Sequence, residues 1–424
     1  MTASSPTPPS DIGFTGLLTL EWRFMLYGGL MSFWSSLGQT YFISLFSTEI
    51  RGELGLSHGD FGLYYAIATA ASALTLIWLG KLADQMSVPK LSFWTITALC
   101  LASFYFSTIG GALTLIIGFY LLRLCGQGMM YHVFSTAVAR RYRRARGRAL
   151  SITGMAINIA ESVFPTLVAL LLISYSWRDI WQFIPIVAFI MIAPFLRYLT
   201  QRTPHQDGLG REGADIAPVA HPDSRSLTRR QVMRDPVFWL LIIFLIATPS
   251  FVVTGLFFHQ LFIAEMRGVD ILTWSAGYVF YAAGSLAGAL IGGMVIDRFT
   301  AQLSAFFGHG LLGLACVIFL SLSGPIGLNG YFLIFGIASG MISNNNAALL
   351  AERYGTTYLG EVRALAQPVM VFASALSPMM MGWMIDFGAD AGALMQLGMS
   401  LAFSVSTGAF IWFTLLRRAI LRHG

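Results

Sequence analysis

Residues 80–90 read GKLADQMSVPK, and residues 292–302 read GGMVIDRFTAQ. Each is a charged phrase at the end of a long apolar run, and in each a glycine precedes an aspartate by four residues: Gly80 and Asp84, Gly293 and Asp297. A second pair repeats the spacing. Arg141-Tyr142 and Arg148-Ala149 in the first half correspond to Arg353-Tyr354 and Arg363-Ala364 in the second. Two phrases recurring at nearly one offset point to a duplicated half.

The chain of 424 residues is 56% hydrophobic and 11% charged, with a mean hydropathy of +0.69. Soluble domains carry about 25% charged residues, so this composition belongs in a membrane. Apolar stretches of about 20 residues, each enough to cross a hydrocarbon core of roughly 30 Å, recur along the whole length. Twelve are expected, at 22–47, 60–80, 91–110, 113–138, 149–173, 178–197, 237–264, 274–296, 302–322, 328–350, 362–386 and 391–418. They must be helices, because lipid offers no hydrogen bonds to an open backbone. The expected fold class is therefore an all-α membrane protein of twelve transmembrane helices in two pseudo-symmetric six-helix bundles.

The division reads as a cytoplasmic tail over 1–21, an N-terminal bundle over 22–197, a cytoplasmic linker over 198–236, a C-terminal bundle over 237–418 and a short tail over 419–424. The polar, proline-bearing start lacks the basic region and cleavage site of a signal peptide. Within the linker, Thr228 and Gln231 have capping-box spacing, and Asp235-Pro236 is a cap and first-turn pair for the seventh span. A short surface helix is expected there.

Of the 26 Lys and Arg, all but four fall beside segments that would be cytoplasmic if both termini are; Arg51, Arg178 and Arg267 lie opposite and Arg123 lies within a span. This positive-inside pattern predicts a multi-pass protein of the inner (plasma) membrane with both termini cytoplasmic. It also explains the basic run at 140–148 as a topology signal, so no nucleic acid is expected as a partner. Cys100, Cys125 and Cys316 all fall inside spans, which suits buried thiols rather than disulfides or a metal site. No P-loop, nucleophile–base pair or metal cluster is visible; no enzyme activity and no cofactor are expected.

Ionisable groups inside a membrane are costly and mark function. Excluding histidine, two lie deep in spans: Arg123 in the fourth and Glu161 in the fifth, both near mid-depth. Three readings stay open. They form a structural ion pair; Glu161 is a proton site; or Arg123 binds an anionic substrate through its guanidinium. Further polar candidates for the lining are Gln39 and Tyr41, Asn158 on the Glu161 face, His132, Tyr281, the run Asn344 and Asn345, and Gln367. For each, interhelical hydrogen bonding competes with substrate contact. His259, near the outer end of the seventh span, reads as a gate residue or an interface residue with Gln260.

The sequence resembles the major facilitator superfamily across all twelve spans. Gly80, Leu82, Asp84 and Lys90 match the family's loop between helices 2 and 3, with Gln85 and Pro89 departing from it; GGMVIDR is a weaker second copy. RLCGQGMM, with Arg123, Gly126 and Gly128, is similar to the family's helix 4 pattern, and RDPVFW and RGRAL resemble the monocarboxylate-porter and oxalate/formate-exchanger branches. The resemblance implies two bundles rocking about a central site. It also implies a conformational latch in which Asp84 engages the end of helix 11 and neighbouring basic residues, for which Gly80, Asp84, Arg140, Arg141, Asp297 and Arg298 are the candidates.

The expected function is secondary active transport, proton-coupled, of a small organic solute such as a monocarboxylate-like anion, by a single chain in the lipid bilayer. Proton-driven efflux of amphipathic drug-like compounds is the alternative, and a non-transporting membrane sensor a lesser one. Substrate, direction and coupling ion are not fixed by the sequence.

Overall fold

A computed structural model describes residues 13–142, 145–201, 226–355 and 358–423. Most of the expected linker (202–225) and the first twelve residues of the expected tail lie outside the described residues, as does Gly424. Among those described, ten helices are long and apolar enough to cross a membrane: His58–Gln85, Ala112–Arg141, Arg146–Leu172, Trp177–Leu199, Pro236–Phe258, Ile271–Arg298, Ala301–Ser321, Gly324–Tyr354, Leu359–Asp386 and Ala391–Leu415. With Val88–Phe106, and with a broken helix that begins at Trp22–Trp34 and ends at Ser47–Leu54, these occupy the twelve expected positions. In chain order they are α1 (the broken helix), α2 (from His58), α3 (from Val88) and so on to α12 (from Ala391).

Helix starts follow local chemistry. Ser57 accepts from Asp60 N at 3.0 Å at the head of α2, Ser176 and Asp179 cap α6 reciprocally, and Thr300 accepts from Leu303 N at 3.2 Å at the head of α9. Thr228 and Gln231 close a capping box on a short helix, Arg229–Met233, and Asp235 accepts from Val237 N at 2.9 Å with Pro236 in the first turn of α7. Such caps satisfy amide groups that helix starts leave unpaired. Residues 14–20, expected as tail, form a helix, Phe14–Leu20, that buries Leu17.

The outer surface is apolar, with Trp78, Leu101, Leu113, Leu290 and Ile326 among many exposed large side chains. A contiguous apolar coat of this kind belongs against lipid. Inside, helices approach closely at glycine. A Cβ on Gly288 of α8 would lie 2.1 Å from the Ile337 carbonyl of α10, and one on Gly336 of α10 would lie 2.1 Å from the Tyr281 carbonyl of α8. The two halves meet along α2 against α11 and α5 against α8. One end of the bundle carries Arg140, Arg141, Arg146, Arg229 and Arg353 and is called the basic end; the other is the far end.

The same contact occurs in each half at the basic end. Tyr142, closing α4, donates to Glu21 at the start of α1 (2.6 Å), and Arg141 reaches the same oxygen at 3.2 Å. Tyr354, closing α10, donates to Asp235 at the start of α7 (3.0 Å), and Arg353 reaches the same oxygen at 3.5 Å. The Arg-Tyr pairs that marked the duplication thus bind α1 to α4 and α7 to α10. At the far end, Arg178 and Trp177 of α6 donate to Glu53 at 2.5 and 2.9 Å, while Arg178 also donates to the carbonyls of Ser107 and Ile109.

Candidate functional site

α1 breaks at mid-depth. A 3-10 turn, Ser35–Gly38, follows Trp34, and Gln39 is extended (φ −84°, ψ 150°) before helix resumes at Thr40. The break fits against a wider π-helical stretch of α4, Arg123–Met130; such stretches recur at functional sites. Backbone meets backbone here. A Cβ on Gly126 would lie 2.6 Å from Gly38 N, and one on Gly38 would lie 2.5 Å from Gln127 N. Only glycine at both places allows this approach.

Arg123 opens the π stretch and is 5% exposed. Its Nη1 donates to the Gly38 carbonyl at 3.1 Å, and its guanidinium lies 5.2 Å from the Tyr65 ring centroid. Its Nε has no hydrogen-bond partner. The broken helix therefore supplies a carbonyl that orients the arginine and leaves part of its donor set free.

Between the halves lies a cavity of about 940 Å³, running from Gln39 at mid-depth to Arg363 near the basic end. On the N-terminal wall, Gln39, Thr69, Ser72, Arg123, Gln127 and His132 present polar groups; on the C-terminal wall, Thr254, Ser339, Ser343, Asn346, Gln367 and Arg363 do so. Among the described residues no carboxylate lines the cavity, whereas Arg123 and Arg363 bring it cations from each half. Among the described lining residues, Tyr131 is the one Phe, Tyr or Trp.

The far end is closed by contacts across the halves. Gln260, buried at the start of the short helix Gln260–Met266 that follows α7, donates to the Tyr41 carbonyl (2.9 Å) and to Ser44 Oγ (2.7 Å) of α1, and accepts from Tyr278 OH (2.7 Å) and Trp274 Nε1 (3.3 Å). Ser44 donates in turn to the Phe257 carbonyl at 2.8 Å. Asp386, ending α11, accepts from the amides of His58 and Gly59 at the start of α2.

The sequence candidates divide accordingly. Arg123, Gln39, His132 and Gln367 line the cavity; His132 also shares a hydrogen bond with the Gly80 carbonyl at 3.0 Å. Tyr41 and Tyr281 are buried on its far-end side. Asn344 donates to the Ala289 carbonyl of α8, and Asn345 is fully buried without a partner; the cavity instead takes Asn346. Arg123 and Glu161 make no ion pair, so a permanent salt bridge between them is not part of this structure. Glu161 faces the interior opposite the lipid-facing residues Met155, Ile159 and Val163, near enough to Tyr41, Tyr278 and Tyr281 to act on them electrostatically. Asn158 shares that helix, and neither lines the cavity.

Asp84 pairs with Arg140, which also donates to the Ala83 carbonyl at 2.7 Å. This bridge lies within the N-terminal half rather than across to α11. Arg141 serves the Glu21 clamp instead. Asp297 and Arg298 are exposed, and the head of α9 is held by Glu352, which accepts from Ala301 N at 2.8 Å. Sequence reasoning missed Arg363, counted as a charge at the membrane face; it named Gln260 as an interface residue beside His259, and the structure makes Gln260 the central pin of the far end.

The model of the Major Facilitator Superfamily matches residues 28–378. No curated protein sequence gives a significant match. Among solved structures, a bacterial homologue of the human lysosomal transporter Spinster, in an inward-facing unoccupied conformation, superposes with a TM-score of 0.66 at 14% identity, covering 94% of this chain and 95% of that one. The nucleoside transporter NupG superposes with a TM-score of 0.68 at 10% identity, covering 94% of this chain and 99% of that one. Identities this low bear on the fold alone; with the family model spanning both halves, the chain belongs to the major facilitator superfamily.

Proposed function

We propose that this protein is a proton-coupled secondary transporter that moves a small organic anion by alternating access, and that the structure is its inward-open state with the basic end cytoplasmic. The observation that carries the substrate class is the cavity's charge: among the described residues, Arg123 and Arg363 line it and no carboxylate does. A low-dielectric cleft lined by one sign of charge concentrates the opposite ion, and Arg binds carboxylates bidentately. With Tyr131 the one Phe, Tyr or Trp among the described lining residues, the cavity gives an amphipathic, drug-like cation little to bind.

Glu161 is the proposed proton site. It lies in the membrane interior on the face of α5 turned from lipid, without a cationic partner among the described residues, where an ionisable group signals function. Purified protein in liposomes containing a pH-sensitive dye tests the reading. Addition of an organic anion should drive protein-dependent proton movement in wild type, and Glu161→Gln should abolish it while anion exchange persists. Proton movement with cationic amphiphiles and none with anions would overturn the substrate class.

A further inference from the structure

A cluster of titratable side chains sits at the far end, on the boundary between the halves and outside the cavity. His58, the first residue of α2, is half-buried there. Arg51, in the last turn of α1, brings Nη1 within 2.8 Å of the His58 ring nitrogens. From the opposite half, the His259 ring centroid lies 5.8 Å from that of His58 and the Phe262 centroid 4.9 Å. His259 is itself buried and meets the Pro378 carbonyl through Nε2 at 2.9 Å. The His58 imidazole is thus wedged between a cation of its own half and two rings of the other.

A guanidinium has only donors, so the ring nitrogen that accepts from Arg51 carries a lone pair and the imidazole is neutral. A proton on that nitrogen removes the hydrogen bond and sets two cations in contact. The charged ring would also press against Phe262, half removed from water, where an ion is costly to hold. Parting of the halves relieves both penalties, because water enters and screens the pair.

The charges that act on the ring are those of Arg51 and Asp386. Asp386 of α11 favours a protonated ring, but its two oxygens already accept the His58 and Gly59 amides, whereas Arg51 touches the ring directly. Asp386 and Glu265, the latter on the short helix after α7, also attract Arg51 from across the boundary and so keep it beside His58 while the far end is closed. Asp60, in the same turn of α2, is exposed to solvent.

We propose that His58 is a proton-binding site of the far-end gate, where a proton from outside ends the contact with Arg51 and favours the outward-open state. This takes from the proposed function only that the far end faces outward. It is separate from Glu161, which lies at mid-depth in α5, whereas His58 sits at the end of a span within reach of the external solution. Because the open state binds the proton more readily, acid populates it.

The test is the far-end separation, read by double electron–electron resonance on full-length protein in detergent, with spin labels at Gly110→Cys and Phe387→Cys. Gly110, in the turn between α3 and α4, has open space around it, and Phe387, after α11, is 90% exposed, so each half carries one label. Histidine titrates between pH 5 and 8, so a change from pH 7.5 to pH 5 should raise the ratio of long to short separations about tenfold. His58→Gln, which keeps an acceptor for Arg51, should stay closed at both pH values. His58→Lys, charged throughout, should show the long separation already at pH 7.5. Glu161→Gln should keep the full response. An unchanged distribution in acid with His58 present, a shorter one, or a response that survives in folded His58→Gln would each overturn the inference. Loss of the response in Glu161→Gln together with its survival in His58→Gln would also overturn it, and would leave the Glu161 reading standing.

Discussion

The Asp386 carboxylate accepts the backbone N–H of Gly59 at 2.8 Å, joining the last turn of α11 to the first turn of α2 across the boundary between the halves. A second oxygen takes the His58 amide at 3.0 Å. An acidic side chain at a helix N-terminus meets unpaired amides and a favourable dipole, here supplied by the opposite bundle. Gly59 is bare because a Cβ would lie 2.2 Å from the Trp383 ring. In this structure the contact helps to close the far end.

Asp386→Ala should therefore favour the outward-open state. Loss of charge-assisted bonds at an exposed site is worth about 1 kcal/mol, or roughly a fivefold population shift. Cys100, Cys125 and Cys316 are all buried, so a reporter such as Phe258→Cys can be followed alone. Its labelling from outside by an impermeant maleimide should quicken about fivefold in the Asp386→Ala background; an unchanged rate would remove Asp386 from the gate.

Gln260 should matter more. Its amide fills four hydrogen bonds at once, and Gln260→Leu would orphan Tyr278 and Trp274 in a buried place and take a donor from Ser44 and the Tyr41 carbonyl. The expected cost to the closed far end is roughly 2–4 kcal/mol. Gln260→Glu keeps the acceptor for Tyr278 and Trp274 but loses both donors towards α1. Both variants should trap the outward-open form, seen as substrate-independent labelling of Phe258→Cys and loss of transport, with the leucine variant also lowering the melting temperature.

The twin clamps at the basic end make a different prediction, because each acts within one half. Tyr142→Phe removes a hydrogen bond from the buried Glu21, whereas Tyr354→Phe removes one from Asp235, whose side chain is 21% exposed and also caps α7. Tyr142→Phe should cost about 1–2 kcal/mol and Tyr354→Phe less. The two sites lie in different halves, so the double variant should show additive losses of thermal stability. Neither should alter the labelling rate of Phe258→Cys, in contrast with the gate variants.

How far the sequence revealed these features depends on how local their causes are. Spans were legible because twenty apolar residues are enough to require a crossing, and the caps at Thr228 and Asp235 because capping needs only neighbours. The Arg-Tyr pairs disclosed the duplication, but their acidic partners, Glu21 and Asp235, lie about 120 residues away in the chain and could not be assigned from spacing. The α1 break has the same obstacle: Gly38 and Gly126 are ordinary glycines until they touch. Arg363 was hidden by its position one residue inside an expected span, where a topology charge and a cavity charge look alike.

A pH effect is expected outside the membrane. Glu53 is held below its ordinary carboxylate range by hydrogen bonds from Arg178 and Trp177. A carboxyl depressed in the folded state contributes stability above its unfolded value, about 4.3, and loses it as pH falls through the folded value. Glu53→Gln should thus lower stability slightly at pH 7, by no more than about 1 kcal/mol for so exposed a pair, read as a small drop in melting temperature. Near pH 3 the gap between variant and wild type should narrow. A gap that widens with acidity would mean that Glu53 is stabilised in its protonated form.

The glycine contact at mid-depth offers the sharpest separation of fold from function. Gly126→Ala places a methyl 2.6 Å from Gly38 N, with backbone on both sides and no flexible side chain to yield. Helix α4 must retreat from the α1 break, and overpacking of this kind costs about 1–3 kcal/mol. The retreat also draws Arg123 from the Gly38 carbonyl that orients it. Gly29, whose Cβ would meet Ala156 at 3.8 Å, is an ordinary contact and the control. Gly29→Ala should leave anion binding intact, whereas Gly126→Ala should weaken it about tenfold or more in protein that still folds. Equal anion affinity in the two variants would mean that the carbonyl contact does not set the geometry of Arg123.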